Sequence, residues 1–157
     1  MHSGYLRQLF LDNQFAEGRY LVEGEPVALT DIRVPVFALG TLTDHVAPWR
    51  SVYKIHILTD TDVTFVLTSG GHNAGIVSEP GHAKRSYQSL ERGSGARHLD
   101  PDTWMQTAPR VEGSWWLAWQ RWLSGDAQAQ VAPPAMGGVH GVGGAPRADA
   151  PGSYVAA

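Results

Sequence analysis

Two short apolar runs, Val34-Pro35-Val36-Phe37-Ala38-Leu39-Gly40 and Val63-Thr64-Phe65-Val66-Leu67, most constrain what this chain can fold into. Runs of this length that stop at glycine or at a polar loop mark strands buried on both faces, as in a parallel sheet. Between them, Pro48 to Leu58 has its proline in a tolerated first-turn position and repeats Trp49, Val52, Tyr53 and His56 along one side, which predicts a helix. Strand, loop, helix, strand, loop is one βαβ step, and the fold class is therefore α/β.

The rest of the chain is read around that step. Tyr5, Leu6, Leu9 and Phe10 fall at helical spacing and predict a short amphipathic helix ending near Gly18. Tyr20 to Val22 and Pro26 to Leu29, with Gly24 between them, predict a small hairpin or loop. Ser78 to Arg110 is rich in Gly, Ser, Pro and charge and is assigned mostly to surface loops, with a helical start at Pro101 to Met105. Trp115, Trp116, Trp119, Trp122 and Leu123 form a broad apolar stripe on a helix over Ser114 to Leu123, either packed in the core or left as a binding surface. The expected organisation is a folded part over 1–125 and a Gly/Ala/Pro-rich tail without periodicity over 126–157.

Asp44 and His72 occupy equivalent positions, each in the loop just beyond an apolar strand, and open α/β sheets build their sites at that edge. Hydrolase-type sheets follow the chain order nucleophile, acid, histidine, with the last two leaving successive strands; this pair has that order. Gly70, Gly71 and Gly75 around His72 permit tight backbone and leave room beside the imidazole. Taken singly, Asp44 is equally a cap ahead of the Pro48 helix and His72 equally a hydrogen-bonded loop histidine. Ser69 reads as a turn residue. His45, His56, His82 and His98 lack ligand spacing, so no metal is expected, and the Gly70-Gly71 and Gly137-Gly138 pairs lack the lysine and context of a phosphate loop. The sequence has no cysteine and no G-x-S-x-G, leaving an acid and a base with nothing of their own to activate. A formal charge of -3 with both signs interspersed gives no basic stripe for nucleic acid. No run of apolar residues is long enough for a membrane span, and a cytoplasmic location is expected.

Four segments in order carry a family resemblance. Thr41-Leu42-Thr43-Asp44-His45-Val46-Ala47-Pro48-Trp49 resembles the E-D-H-I-V-P-W segment around the catalytic aspartate of polyhydroxyalkanoate synthases. Gly71-His72-Asn73-Ala74-Gly75 is similar to their G-H-I-A-G histidine loop, with Lys84-Arg85-Ser86-Tyr87 like the N-K-R-x-Y that follows it. Gly113-Ser114-Trp115-Trp116 resembles their G-S-W-W helix, and Ala150-Pro151-Gly152-Ser153-Tyr154-Val155 their terminal A-P-G-x-Y-V. Departures are Thr43, Asn73 and Ser78-Glu79-Pro80-Gly81.

The resemblance implies the C-terminal part of an α/β-hydrolase fold, its last two parallel strands with flanking helices, in an incomplete sheet. It implies an acyltransferase that polymerises 3-hydroxyacyl-CoA with release of CoA, needing no cofactor beyond its thioester substrate. In that family a cysteine elbow is the nucleophile. His72 then inherits the role of its base, and Asp44 either orients the histidine or helps deprotonate the incoming 3-hydroxyl. The implied partners are the remainder of the synthase or a homodimer, and the polyester granule, with the chain inactive alone. The alternatives are a non-catalytic module binding granule or synthase subunit, and a different α/β-hydrolase such as an esterase or depolymerase.

Overall fold

In the computed structural model, which describes residues 2–125 and 131–132, the chain opens with a short helix, α1 (His2–Tyr5), that widens into a π-helical stretch over Leu6–Leu11. The helix expected to reach Gly18 stops at Leu11, because Asn13 and Gly18 both take positive φ and turn the chain back. Its apolar residues Leu6, Phe10 and Leu11 stay exposed. A hairpin follows, β1 (Tyr20–Val22) antiparallel to β2 (Glu25–Val27). Its two-residue turn, Glu23-Gly24, has φ of 52° and 90°, the double left-handed conformation that matches strand twist.

Both apolar runs become strands. β3 (Val36–Thr41) leads through two short helices, α2 (Trp49–Val52) and α3 (Ile55–Leu58), to β4 (Val63–Thr68). The single helix expected over Pro48 to Leu58 is thus broken at Tyr53-Lys54. β3 and β4 pair in parallel, Val36 opposite Val63 and Thr41 opposite Thr68.

From Ser78 to Arg110, expected to be mostly surface loops with a helical start at Pro101, the helix forms, but Ser86–Arg92 is a strand and not a loop. β5 (Ser86–Arg92) pairs antiparallel to the whole of β4, α4 (Pro101–Thr107) follows, and β6 (Arg110–Glu112) pairs antiparallel to β5. The result is a mixed sheet in the order β3-β4-β5-β6. Before α4, the Asp100 carboxylate accepts from the Asp102 and Thr103 amides, so the Asp-Pro start is a capped helix N-terminus. The chain ends its described course in α5 (Trp116–Ser124).

Alternation along β4 builds a core on each face of the sheet. Phe65 and Leu67 point to one side, into a cluster with Trp49, Tyr53, Trp104 and Ala108 from α2, α4 and their flanks. Val66 points to the other, with Tyr87 and Trp115, and with Phe37, Leu39, Trp116 and Ala118 packed against them. The arrangement is helix, sheet, helix. Gly40 allows the first layer to close: a Cβ there would lie 3.0 Å from the Trp49 Cβ. The chain divides after Gly125, and the tail expected over 126–157 lies outside the described residues except for 131 and 132.

Candidate active site

β3 ends at Thr41 and β4 at Thr68, but their pairing does not stop there. Leu42 N donates to Thr68 O at 2.9 Å and Thr43 N to Gly70 O at 3.0 Å, so the loop carrying Asp44 is joined to the loop carrying His72 by backbone bonds. After Gly70, which has φ of 102°, the chain makes a helical turn closed by Gly75 N donating to Gly71 O at 2.8 Å. Gly75 packs against Thr41, where a Cβ would come within 2.7 Å of the Thr41 Cγ2. Gly71 has no such constraint, since a Cβ there would meet Thr43 only at 3.6 Å.

This splice brings Asp44 and His72 together, with Asp44 Oδ2 2.9 Å from His72 Nδ1. The other interactions of the carboxylate fix its orientation. Oδ1 accepts from the Val46 and Ala47 amides at 2.8 and 2.9 Å, and Oδ2 also accepts from Thr41 Oγ1 at 3.0 Å. The Ala47 amide first, then His72, Val46 and Thr41, outweigh desolvation and hold the Asp44 carboxyl well below the usual carboxylate range. The Asp44 side chain is 6% exposed and that of His72 48%. An ionised Asp44 makes Nδ1 the protonated nitrogen of a neutral imidazole, which leaves a lone pair on Nε2. Nε2 has no hydrogen-bond partner among the described residues. Beside the pair lies a cleft of about 170 Å³, whose apolar wall is Leu39, Ala47, Val52 and Ile76.

Other sequence candidates stay apart from this site. Ser69 Oγ accepts from Ser86 N at 3.1 Å, a bond that ties β4 to β5. His45 is exposed, His82 pairs with Glu79 at 3.0 Å, and His56 is buried in the aromatic core. Among the described residues no three His, Cys, Asp or Glu side chains could hold a metal, and no helix is long and apolar enough to cross a membrane. Sequence reasoning did not find Thr41, the Val46 and Ala47 amides or the apolar wall. The one signal was Asp44 itself, whose side chain can accept from the backbone two residues on, at Val46, as in an Asx-turn.

Comparison with known proteins places the whole segment that holds this acid and histidine in one group of relatives. The chain is 37% identical over 98% of its length to the poly(3-hydroxyalkanoate) polymerase subunit PhaC of Rhizobium meliloti (strain 1021). It is 39% identical over the same share to the poly(3-hydroxyalkanoate) polymerase of Methylorubrum extorquens.

The chain is homologous to a portion of the poly(3-hydroxyalkanoate) polymerases.

A third relative, the polymerase subunit PhaC of Cupriavidus necator, is 37% identical over 83% of the chain. The chain spans about a quarter of the length of these polymerases, 24%, 24% and 22% respectively. No family model matches it. The polymerase homology runs through nearly the whole sequence, as the four motifs require.

Proposed function

We propose that this chain supplies the acid and the base of a polyhydroxyalkanoate synthase, an acyltransferase that polymerises 3-hydroxyacyl-CoA and releases CoA. The observation that carries this reading is the Asp44–His72 contact at 2.9 Å at the C-terminal edge of two adjacent parallel strands, the place where α/β-hydrolase sheets present these groups. The fold we propose is accordingly the C-terminal part of an α/β-hydrolase domain over 1–125, with 126–157 as its tail.

With no cysteine in the 157 residues, the nucleophile comes from outside this sequence. His72 Nε2 takes the proton of that thiol as the sulfur attacks the thioester carbonyl. The CoA thiolate then leaves with that proton, and the acyl group stays on the cysteine. In the second half the base acts on the 3-hydroxyl of the incoming unit. Of the two roles open to Asp44, its surroundings favour orientation. A carboxylate already accepting from three donors besides His72, and held well below its ordinary pKa, is a weak base for a hydroxyl. The partners of this reading are the remainder of the synthase or a homodimer and the polyester granule, in the cytoplasm.

The test is to express the chain with the cysteine-bearing portion of a polymerase relative and measure CoA release from 3-hydroxybutyryl-CoA. Asp44→Asn and His72→Gln should each reduce turnover by about 10²-fold or more, while His98→Ala should not. Equal loss with the exposed His98 would point to instability and remove the catalytic reading. Turnover by this chain alone that His72→Ala abolishes would instead favour an esterase or depolymerase. The second reading, a non-catalytic granule-binding module, is supported by the apolar groove that Trp116, Leu117, Trp119 and Leu123 of α5 form with Pro80.

A further inference from the structure

Away from the Asp44–His72 cleft, one titratable side chain sits where its chemistry has no structural use. His56 of α3 is 2% exposed, with its ring on Tyr53 at 4.5 Å between centroids and on Phe65 at 5.9 Å. Neither ring nitrogen has a hydrogen-bond partner among the described residues. A buried neutral imidazole brings one donor and one acceptor, and leaving both unpaired carries a cost that leucine or phenylalanine would avoid.

The groups facing His56 also oppose a proton on it. From β5, Arg92 Nη1 donates to the His56 carbonyl at 3.0 Å. From the segment before α4, His98 lies against the opposite partner Tyr53, at 6.1 Å between rings. Tyr53 itself is neutral, its hydroxyl donating to Leu99 O at 3.0 Å, and β4 contributes Phe65. No carboxylate pairs with the His56 ring among the described residues. Burial first, then Arg92 and His98, push the His56 pKa from its ordinary 6.5 down to about 4.

We propose that His56 is an acid-sensitive latch on the loop that carries Asp44. Protonation of its ring expels α3 from the aromatic cluster, and α2 follows because Trp49 and Tyr53 belong to the same cluster. α2 begins directly after the Val46-Ala47 turn whose amides hold Asp44, so its release opens the Asp44–His72 contact. The latch needs no catalytic role for that pair.

The unfolded chain takes up this proton near 6.5 and the folded chain only near 4. Between those values the unfolded state holds more protons. Stability is therefore undiminished above 6.5, falls as the pH drops through the window, and loses no more from this group below 4. At a factor of ten for each pKa unit, the fall from 6.5 to about 4 corresponds to between two and three orders of magnitude in the folding constant at most.

The experiment is an acid titration of the full chain, following near-ultraviolet circular dichroism together with the His56 ring protons and the Val46 and Ala47 amide protons that clamp Asp44. The His56 ring should stay neutral until the core signal is lost, and the two amide signals should change in that same transition. His56→Phe, which keeps an aromatic ring but cannot titrate, should hold its fold to a pH lower by about half a unit or more. Identical acid profiles for the two proteins would overturn the latch, and so would a His56 ring that titrates near 6.5 with the fold intact. If His56→Phe does not fold at neutral pH, the ring titration of the unaltered chain decides alone. A change in the Val46 and Ala47 amides well above the core transition would separate the Asp44 clamp from α3 and sink the coupling.

Discussion

Gly75 shows how a single absent side chain sets the site. Its Cα faces Thr41, and a methyl group would sit 2.7 Å from the Thr41 Cγ2 and 3.0 Å from Gly71 O. Neither neighbour can yield, since one is a buried β-branched residue and the other is backbone. Gly75→Ala should lower stability by about 1–3 kcal/mol and lengthen the Asp44–His72 contact, measured by denaturant titration and by the His72 ring-proton shift. Gly71→Ala, with 3.6 Å of clearance, is the control and should behave like the unaltered chain. Asp44 carries a second expectation. Its folded pKa is depressed, so its contribution is complete above the unfolded carboxylate value of about 3.9 and is lost only below it. While the fold is intact, acidification should produce no carboxylate titration step in the Asp44 carboxyl carbon shift above that value. From sequence, Asp44 and His72 could be picked as a pair because strand ends and chain order are visible there. Thr41 and the two clamping amides could not, because any residue supplies an amide and the turn that aims it exists only after folding.

At the scale of elements, β3 and β4 were legible because both have apolar residues on each face, so their runs are nearly continuous, broken in β4 only by Thr64. β5 was not, for the opposite reason. Its only apolar residues are Tyr87 and Leu90, three apart, which is a helical spacing and not the alternation of a strand. It is a strand because β4 offers a full ladder, Val63 opposite Arg92 through Thr68 opposite Tyr87. Gln88 in it donates to the Met105 and Ala108 carbonyls, both at 2.8 Å, fastening α4 to the sheet. The tryptophan helix was read as one stripe, but the structure divides it. Trp115 is buried on Phe37, with ring centroids 6.3 Å apart, whereas Trp119 is 44% exposed. Two substitutions separate these environments. Trp104→Ala, at 1% exposure among Trp49, Tyr53 and Phe65, should cost about 3–5 kcal/mol. Trp119→Gln should change the denaturation midpoint by about 0.5 kcal/mol or less in free energy.

Across the described molecule, the sheet has one edge at β3, a six-residue strand whose faces carry Phe37 and Leu39 on one side and Ala38 and Gly40 on the other. Among the described residues its outer row of peptide groups faces no strand. Regular apolar edges of this kind pair with further strands. Concentrating the isolated chain should therefore produce association detectable by light scattering, and Val36→Lys, a charge on that edge, should suppress it without altering the near-ultraviolet spectrum. Unchanged association in the variant would place the contact elsewhere, with the exposed face of α5 the next surface to examine.

The backbone splice between the two loops also decides where this protein can change length. Leu42 and Thr43 are stitched to Thr68 and Gly70, so one extra residue between Thr41 and Asp44, or between Thr68 and His72, would shift the stitches and carry one partner past the other. The stretch from Glu79 to Lys84 lies outside them, and its backbone is held by a single bond, His82 N to Glu79 O at 3.1 Å. A linker, epitope or additional loop can be spliced in there, making it the natural port for engineered insertions into this scaffold.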